Sequence, residues 1–180
     1  RLAEALGALL TRETGGTPVG RRLREILHDT SVTNLSPRAE ALMTAADRAQ
    51  HIHEVVAPAL AAGRHVVSDR SVYSALAYQG YGRGQDVTQV RRLNEWAVDG
   101  CWPELVLLLD AAPDVIERRM KGRTLDRFEQ ESADFHRAVR DGFHQMAAAE
   151  PDRWVIIDAG QQVEQVAERI RSAVRERLGL

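Results

Sequence analysis

The sequence holds a single cysteine, Cys101. An internal disulfide framework is thereby excluded, and a lone thiol fits a reducing compartment. No apolar run approaches the roughly 20 residues that a bilayer-spanning helix needs. No basic stretch followed by a short apolar region opens the chain either. Charge of one sign is also lacking, since 24 Lys and Arg stand against 26 Asp and Glu for a net charge of -2. There is thus no overall field to draw in nucleic acid or an anionic membrane, and any anion site must come from locally placed arginines. These absences point to a cytoplasmic protein with neither a nucleic-acid nor a membrane partner.

What is there suits one globular domain over residues 1–180: 44% hydrophobic and 28% charged residues, undivided by any repeat or linker. "RLAEALGALLTRE" runs from helix into strand. "TRETGGTPVG" is a loop in which Thr17 caps a helix, Pro18 opens it and Val19 to His28 continue it. Ser36 caps a long helix from Pro37 that stops at Gly63, and Pro58 inside it predicts a kink near Ala57. "RHVVSD" is a short strand, Ser71 to Gln79 is helical and "GYGRGQD" reads as loop. Val87 to Gly100 forms a helix with Leu93, Trp96 and Ala97 on one face. "ELVLLLD", residues 104–110, is the continuous apolar run expected of a central buried strand. A helix from Ala112 through Met120, the basic segment "KGRTLDRFEQES", a helix over Ala133 to Ala149, the strand "RWVIIDA" and a helix over Val163 to Leu178 complete the chain.

Strands that alternate with helices and are apolar on both faces define an α/β fold, a parallel sheet flanked by helices on both faces. In such folds ligands sit beyond the carboxyl ends of the strands. Arg12, Asp69, Arg70, Asp110 and Asp158 fall at those ends. Taken singly, each of these arginines reads as solvated surface and Asp69–Arg70 as a structural ion pair. Their ordered combination is what points to chemistry.

Four segments, in order, resemble the bacterial thymidylate kinase family: "LTRETGGTPVGRRLREIL", "AADRAQHIHEVVAPAL", "DRSVYSALAYQGYGRG" and "KGRTLDRFEQESADFHRAVRDGF". The third, similar to the family's D-R-Y-x-x-S-x-x-A-Y-Q-G signature, is the most specific. The resemblance implies a three-layer sandwich like that of P-loop nucleoside monophosphate kinases. It implies an enzyme that moves the γ-phosphoryl group of ATP to dTMP with Mg2+, and a homodimer. In that reading Arg12, Arg48 and Arg70 bind the acceptor, Ser74 and Gln79 lie near the pyrimidine, and Tyr78 packs on deoxyribose. Asp69 orients an arginine or reaches the magnesium shell. A lid at about 118–132 carries the catalytic cation, Arg123 first, then Arg118 and Arg119, with Lys121 and Arg127 beside them. Forked guanidinium groups suit a dianionic phosphate, and mobile cations suit the charge that phosphoryl transfer spreads over oxygens.

Departures accompany the match. No G-x-x-x-x-G-K-[ST] occurs in the sequence, which starts on Arg1, and "RLAEAL" matches the helix that follows the family's P-loop. The resemblance therefore places the donor-binding loop ahead of Arg1, with a few further residues lost near Gly7. Thr14 replaces a Pro, Ser71 an aromatic, and Thr44 a Phe that stacks on the base. Two alternatives stay open from sequence: a kinase of another (deoxy)nucleoside monophosphate, or a non-catalytic nucleotide-binding relative without a P-loop. Ile52, Val55 and Leu76, on helices at 43–57 and 71–79, are the apolar residues expected at a dimer contact.

Overall fold

The computed structural model describes residues Arg1–Leu180. A short helix α1 (Leu2–Ala5) leads through Gly7 into strand β1 (Leu9–Arg12). Helix α2 (Pro18–His28) starts as its sequence dictates, with the Thr17 hydroxyl accepting from Gly20 N at 2.9 Å. Helix α3 (Pro37–His51) is capped in the same way by Ser36. The break expected near Ala57 is a π-helical turn, Ile52–Val56, ahead of α4 (Ala57–Ala61). Pro58 has no N–H to give to the carbonyl four residues back, so the ladder widens before it.

Strand β2 (Val66–Asp69) pairs in parallel with β1, aligning Arg12 with Asp69. The chain then turns sharply, because Arg70 adopts the left-handed conformation at φ 68°. Helix α5 (Val72–Ala75) follows and widens into a second π-helical segment, Leu76–Gly82. Helix α6 (Val87–Val98), strand β3 (Val106–Asp110), helix α7 (Pro113–Met120), helix α8 (Ala133–Ala149), strand β4 (Trp154–Asp158) and helix α9 (Val163–Leu178) complete the order.

Within residues 1–180 the strands form two parallel pairs, β1–β2 and β3–β4. Three expectations are corrected. With a neighbour on one side only, β3 is not buried throughout, and Leu109 is 51% exposed. Trp96 does not share an inner face with Ala97: it is 82% exposed, and Val90, Asn94, Ala97 and Val98 form the buried side of α6. "GYG" is not loop but the end of the π-helical segment. Its glycine at 82 is required by packing, since a Cβ there would lie 2.7 Å from both the Phe135 ring and Val139 Cγ2.

The main core sits between that segment and α8, where Val72, Tyr73, Leu76 and Ala77 meet Phe135, Val139, Met146 and Trp154. Leu76 and Ile52 are thus interior residues of this chain, unavailable for a partner, while Val55 is half-buried. A close approach in this core is at Gly142, where a Cβ would meet Tyr81 Cδ2 at 2.5 Å and Tyr81 Cβ at 2.9 Å. Gly142→Ala should therefore destabilise the protein by about 1–3 kcal/mol, although alanine is the better helix former by about 1 kcal/mol. A urea midpoint equal to or above that of the parent would show that the contact relaxes freely.

Candidate active site

The carboxyl ends of β1 and β2 open into a cavity of about 530 Å³. Parallel pairing brings Arg12 and Asp69 there together, and Glu13 N extends the ladder by donating to Asp69 O at 3.0 Å. The left-handed turn at Arg70 swings the chain from β2 into α5, so that Ser74, Tyr78 and Gln79 come round to the same wall. Left-handed backbone at a non-glycine residue costs of order 1 kcal/mol and is held only where its surroundings fix it. Here Ser68 Oγ donates to the Arg70 carbonyl at 2.7 Å.

The wall opposite is braced from α3. Glu13 is buried between Arg48, whose Nε donates to it at 2.9 Å, and His51, whose Nδ1 lies 3.1 Å away. The remaining Arg48 nitrogens donate to Asn94 Oδ1 and to the Ser71 carbonyl. His51 Nε2 meets the Thr11 hydroxyl at 2.6 Å. Burial works against the Glu13 charge, but Arg48 and His51 outweigh it and leave the carboxyl below its ordinary value. Asp47 behaves in the opposite way. Burial and the nearby Glu13 charge push it up, even though Gly15 N donates to it at 2.8 Å.

The cations of the cavity do not all find anions. Arg48 pairs with Glu13, and Arg123 lies 3.5 Å from Glu129. His28 Nδ1 meets Asp126 at 2.7 Å. Burial and the cations Arg24 and Arg70 depress the imidazole more than Asp126 raises it. The contact is thus a neutral His28 donating to an ionised carboxylate. Arg12, Arg24 and Arg70 are left without an ion-pair partner. Arg24 is pulled below its usual value by burial and then by the charges of Arg12 and Arg70, the mark of cations crowded together. Arg70 is exposed to solvent; crowding by nearby protein atoms opposes its charge, but Tyr78 and Asp69 more than offset it. Its guanidinium lies over the Tyr78 ring, 5.1 Å from the centroid. Such a trio is built to receive a multivalent anion.

Of the residues singled out in the sequence, Arg12, Arg48, Asp69, Arg70, Ser74, Tyr78, Gln79 and Arg123 line this one cavity, and Thr44 shares its wall. Arg118 and Arg119 do not reach it. Arg118 is exposed beside Asp114, and Arg119 donates to the Gln161 carbonyl at 3.4 Å. Asp110 and Asp158 also stand apart, the first clasped by Arg140 at 2.7 and 2.8 Å, the second capping Gly160 N. Arg127 is bound at 2.6 Å to the buried Glu40, a structural tie within the segment between α7 and α8. Sequence reasoning missed Arg24, His28 and Asp126. The signal was present on α2, where Gly20, Arg24 and Leu27 share one helical stripe and the two flanking members are buried. A charge on an inward stripe marks a site.

An α/β protein with unpaired guanidinium groups converging beyond its strand ends has an arrangement suited to a phosphate-bearing ligand. The thymidylate kinase family model matches residues 1–170. A thymidylate kinase of Synechococcus sp. (strain JA-2-3B'a(2-13)) is 51% identical over 177 residues, 98% of this chain and 84% of the relative. That of Halothermothrix orenii is 41% identical over 176 residues, covering 96% and 84%. That of Oleidesulfovibrio alaskensis is 45% identical over 178 residues, covering 94% and 84%. The chain belongs to the thymidylate kinase family.

Breaking the buried Glu13–Arg48 pair from the acid side should cost about 3–5 kcal/mol at pH 7 for Glu13→Gln. The folded protein holds Glu13 below its ordinary 4.5, so the unfolded chain takes up that proton first as pH falls. The stabilisation is complete above 4.5 and is lost as pH drops through the folded value. The gap between parent and variant in urea denaturation should therefore close on acidification, and a gap independent of pH would contradict the assignment.

Proposed function

We infer that the protein transfers the γ-phosphoryl group of ATP to dTMP, giving dTDP. The observation that carries this reading, beside the family, is the convergence of Arg12, Arg24 and Arg70 on one cavity without anions of their own. A monophosphate dianion would neutralise them, Arg70 at the junction of strand and helix being the principal ligand. Ser74 and Gln79 then face the pyrimidine, with Arg48 held behind it, and Tyr78 packs on the sugar where a 2'-hydroxyl would crowd it. Thr44 takes the place of an aromatic platform.

Arg123, in the segment after α7, faces the donor side and supplies the cation that offsets charge developing during transfer. It is 61% exposed and held only by Glu129, a pairing weak enough to exchange for phosphate. Mg2+ is ordinarily held by one or two carboxylates together with substrate phosphates. No cluster of three or more metal-ligating side chains exists in the chain, and Asp69, free of any salt bridge, fits the single-carboxylate role. When bound, Mg2+ would neutralise phosphate charge. Asp69 acts on the neighbouring Arg70 through its charge, without a direct bond.

The same reading extends to architecture and setting: one nucleoside monophosphate kinase domain over 1–180 in a three-layer sandwich, with a lid at about 118–132, in the cytoplasm. No helix is long and apolar enough to cross a membrane. We also propose a homodimer. Leu42 and Leu60 on α3 and α4 and Trp96 on α6 are exposed apolar residues that a partner would cover. Light scattering at micromolar concentration should return twice the chain mass, and a monomer mass would remove this element of the proposal.

Formation of dTDP from ATP and dTMP by the full-length protein tests the function directly. Two variants separate the ends of the site. Arg70→Ala should weaken dTMP binding in calorimetry by about 2–3 kcal/mol, the worth of a charge-assisted phosphate contact. Arg123→Ala should leave dTMP affinity nearly intact and lower the turnover rate by orders of magnitude. Unchanged dTMP affinity in the first, or weakened affinity with normal turnover in the second, would overturn the corresponding role.

A further inference from the structure

Glu40 lies outside the cavity wall, on the first turn of α3, and is 0% exposed. Its carboxylate accepts from Gln79 Nε2 at 3.0 Å, from Arg83 Nε at 3.1 Å and Nη2 at 3.0 Å, and from Arg127 Nη2 at 2.6 Å. Burial opposes the charge, yet these donors outweigh it and hold the carboxyl below its ordinary value. The acid is ionised at neutral pH and can only accept. Arg83 completes the balance through Glu131 at 2.6 Å, so that two guanidinium groups face two carboxylates.

An acceptor-only neighbour settles which end of the Gln79 amide faces it. The nitrogen must turn toward Glu40, and the carbonyl oxygen must turn away. Gln79 is 2% exposed and lines the cavity, and its Oε1 accepts no bond within the protein. The buried side-chain atoms left without a partner are Asp47 Oδ2 and Trp154 Nε1, so Gln79 Oε1 retains access to the cavity. A fixed acceptor at the base end of a pyrimidine pocket suits the N3–H of thymine. It opposes cytosine, whose N3 bears a lone pair and no hydrogen.

We propose that Glu40 is a positioning residue that locks the Gln79 amide and thereby makes the pocket select a pyrimidine that donates at N3 over one that accepts there. The inference rests on the reading of Gln79 as a base-side ligand. Sites built to hydrogen-bond one pattern reject its inverse strongly, because the wrong ring leaves a buried group unpaired. If Glu40 became an amide it could donate as well as accept. Gln79 would then be free to present either end.

Steady-state kinetics of the full-length protein at saturating ATP, with dTMP and dCMP as alternative acceptors, test this. Glu40→Gln should raise KM for dTMP about tenfold, and should lower the dTMP-to-dCMP ratio of kcat/KM by about tenfold or more. KM for ATP should not move. Arg83→Met removes a cation from Glu40 while leaving the bond to Gln79, so it should lower the unfolding temperature with the acceptor ratio unchanged. A folded Glu40→Gln variant that keeps both the KM and the ratio overturns the proposal, as does an Arg83→Met variant that shifts the ratio equally. Should Glu40→Gln not fold, Glu40→Asp retains the charge but withdraws it by one methylene. Its ratio must fall, and an unchanged ratio is decisive against Glu40. Parent protein inert toward dTMP would strike at the underlying function instead, and Gln79→Leu with an undiminished ratio would strike at Gln79.

Discussion

Helix α3 carries Glu40, Asp47, Arg48 and His51 into the interior, and every wall of the cavity answers to the need to satisfy them. A charge withdrawn from water must be paired and hydrogen-bonded, or it shifts its protonation and the fold loosens. Glu13 reaches back from the end of β1 to Arg48 and His51. Asn94 on α6 and the Ser71 carbonyl absorb the other donors of Arg48. Gln79, Arg83 and Arg127 converge on Glu40 from two further parts of the chain. Five parts of the chain are thereby fixed to one helix by directional bonds, where apolar contact alone would allow sliding. The arginines left over, on β1, α2 and the turn after β2, line the cavity without ion-pair partners.

Much of the fold was legible because its boundaries are written in short-range chemistry. Thr17–Pro18, Ser36–Pro37 and Ser132 cap helices where those residue types promise, and α8 and α9 end where their patterns end. The π-helical segments were not legible. Their extra residue per turn has no compositional signature, and the glycines that permit close packing against α8 look, in sequence, like the glycines of a loop. Strand pairing was out of reach for a related reason. An apolar run such as "VLLLD" declares burial but not how many neighbours it will have, and β3 has one.

The candidate site divides along the same line. Asp69, Arg70, Ser74, Tyr78 and Gln79 were readable because a single compact motif, one strand end and the helix after it, brings them together. Arg24 is signalled only by its place on the inward stripe of α2, while His28 and Glu40 acquire meaning only in three dimensions. Among the arginines at and after the end of α7, sequence offers several equivalent cations. The structure distinguishes them by surroundings, setting Arg123 at the cavity and Arg127 inside against Glu40, while Arg118 and Arg119 pair elsewhere.

The buried position of the Arg83–Glu40–Arg127 cluster also decides how the protein meets changes in ionic strength. Dissolved ions screen charges across about 8 Å of water at physiological salt, but they do not enter a dry interior. The Glu40 cluster and the Glu13–Arg48 pair lie beyond their reach. The Arg123–Glu129 contact, standing in solvent, does not. Added salt thus weakens the Arg123–Glu129 contact while leaving the wall braced by Glu13 and Glu40 as it was. One half of the cavity is tuned by the surrounding electrolyte, and the other is insulated from it by its own packing.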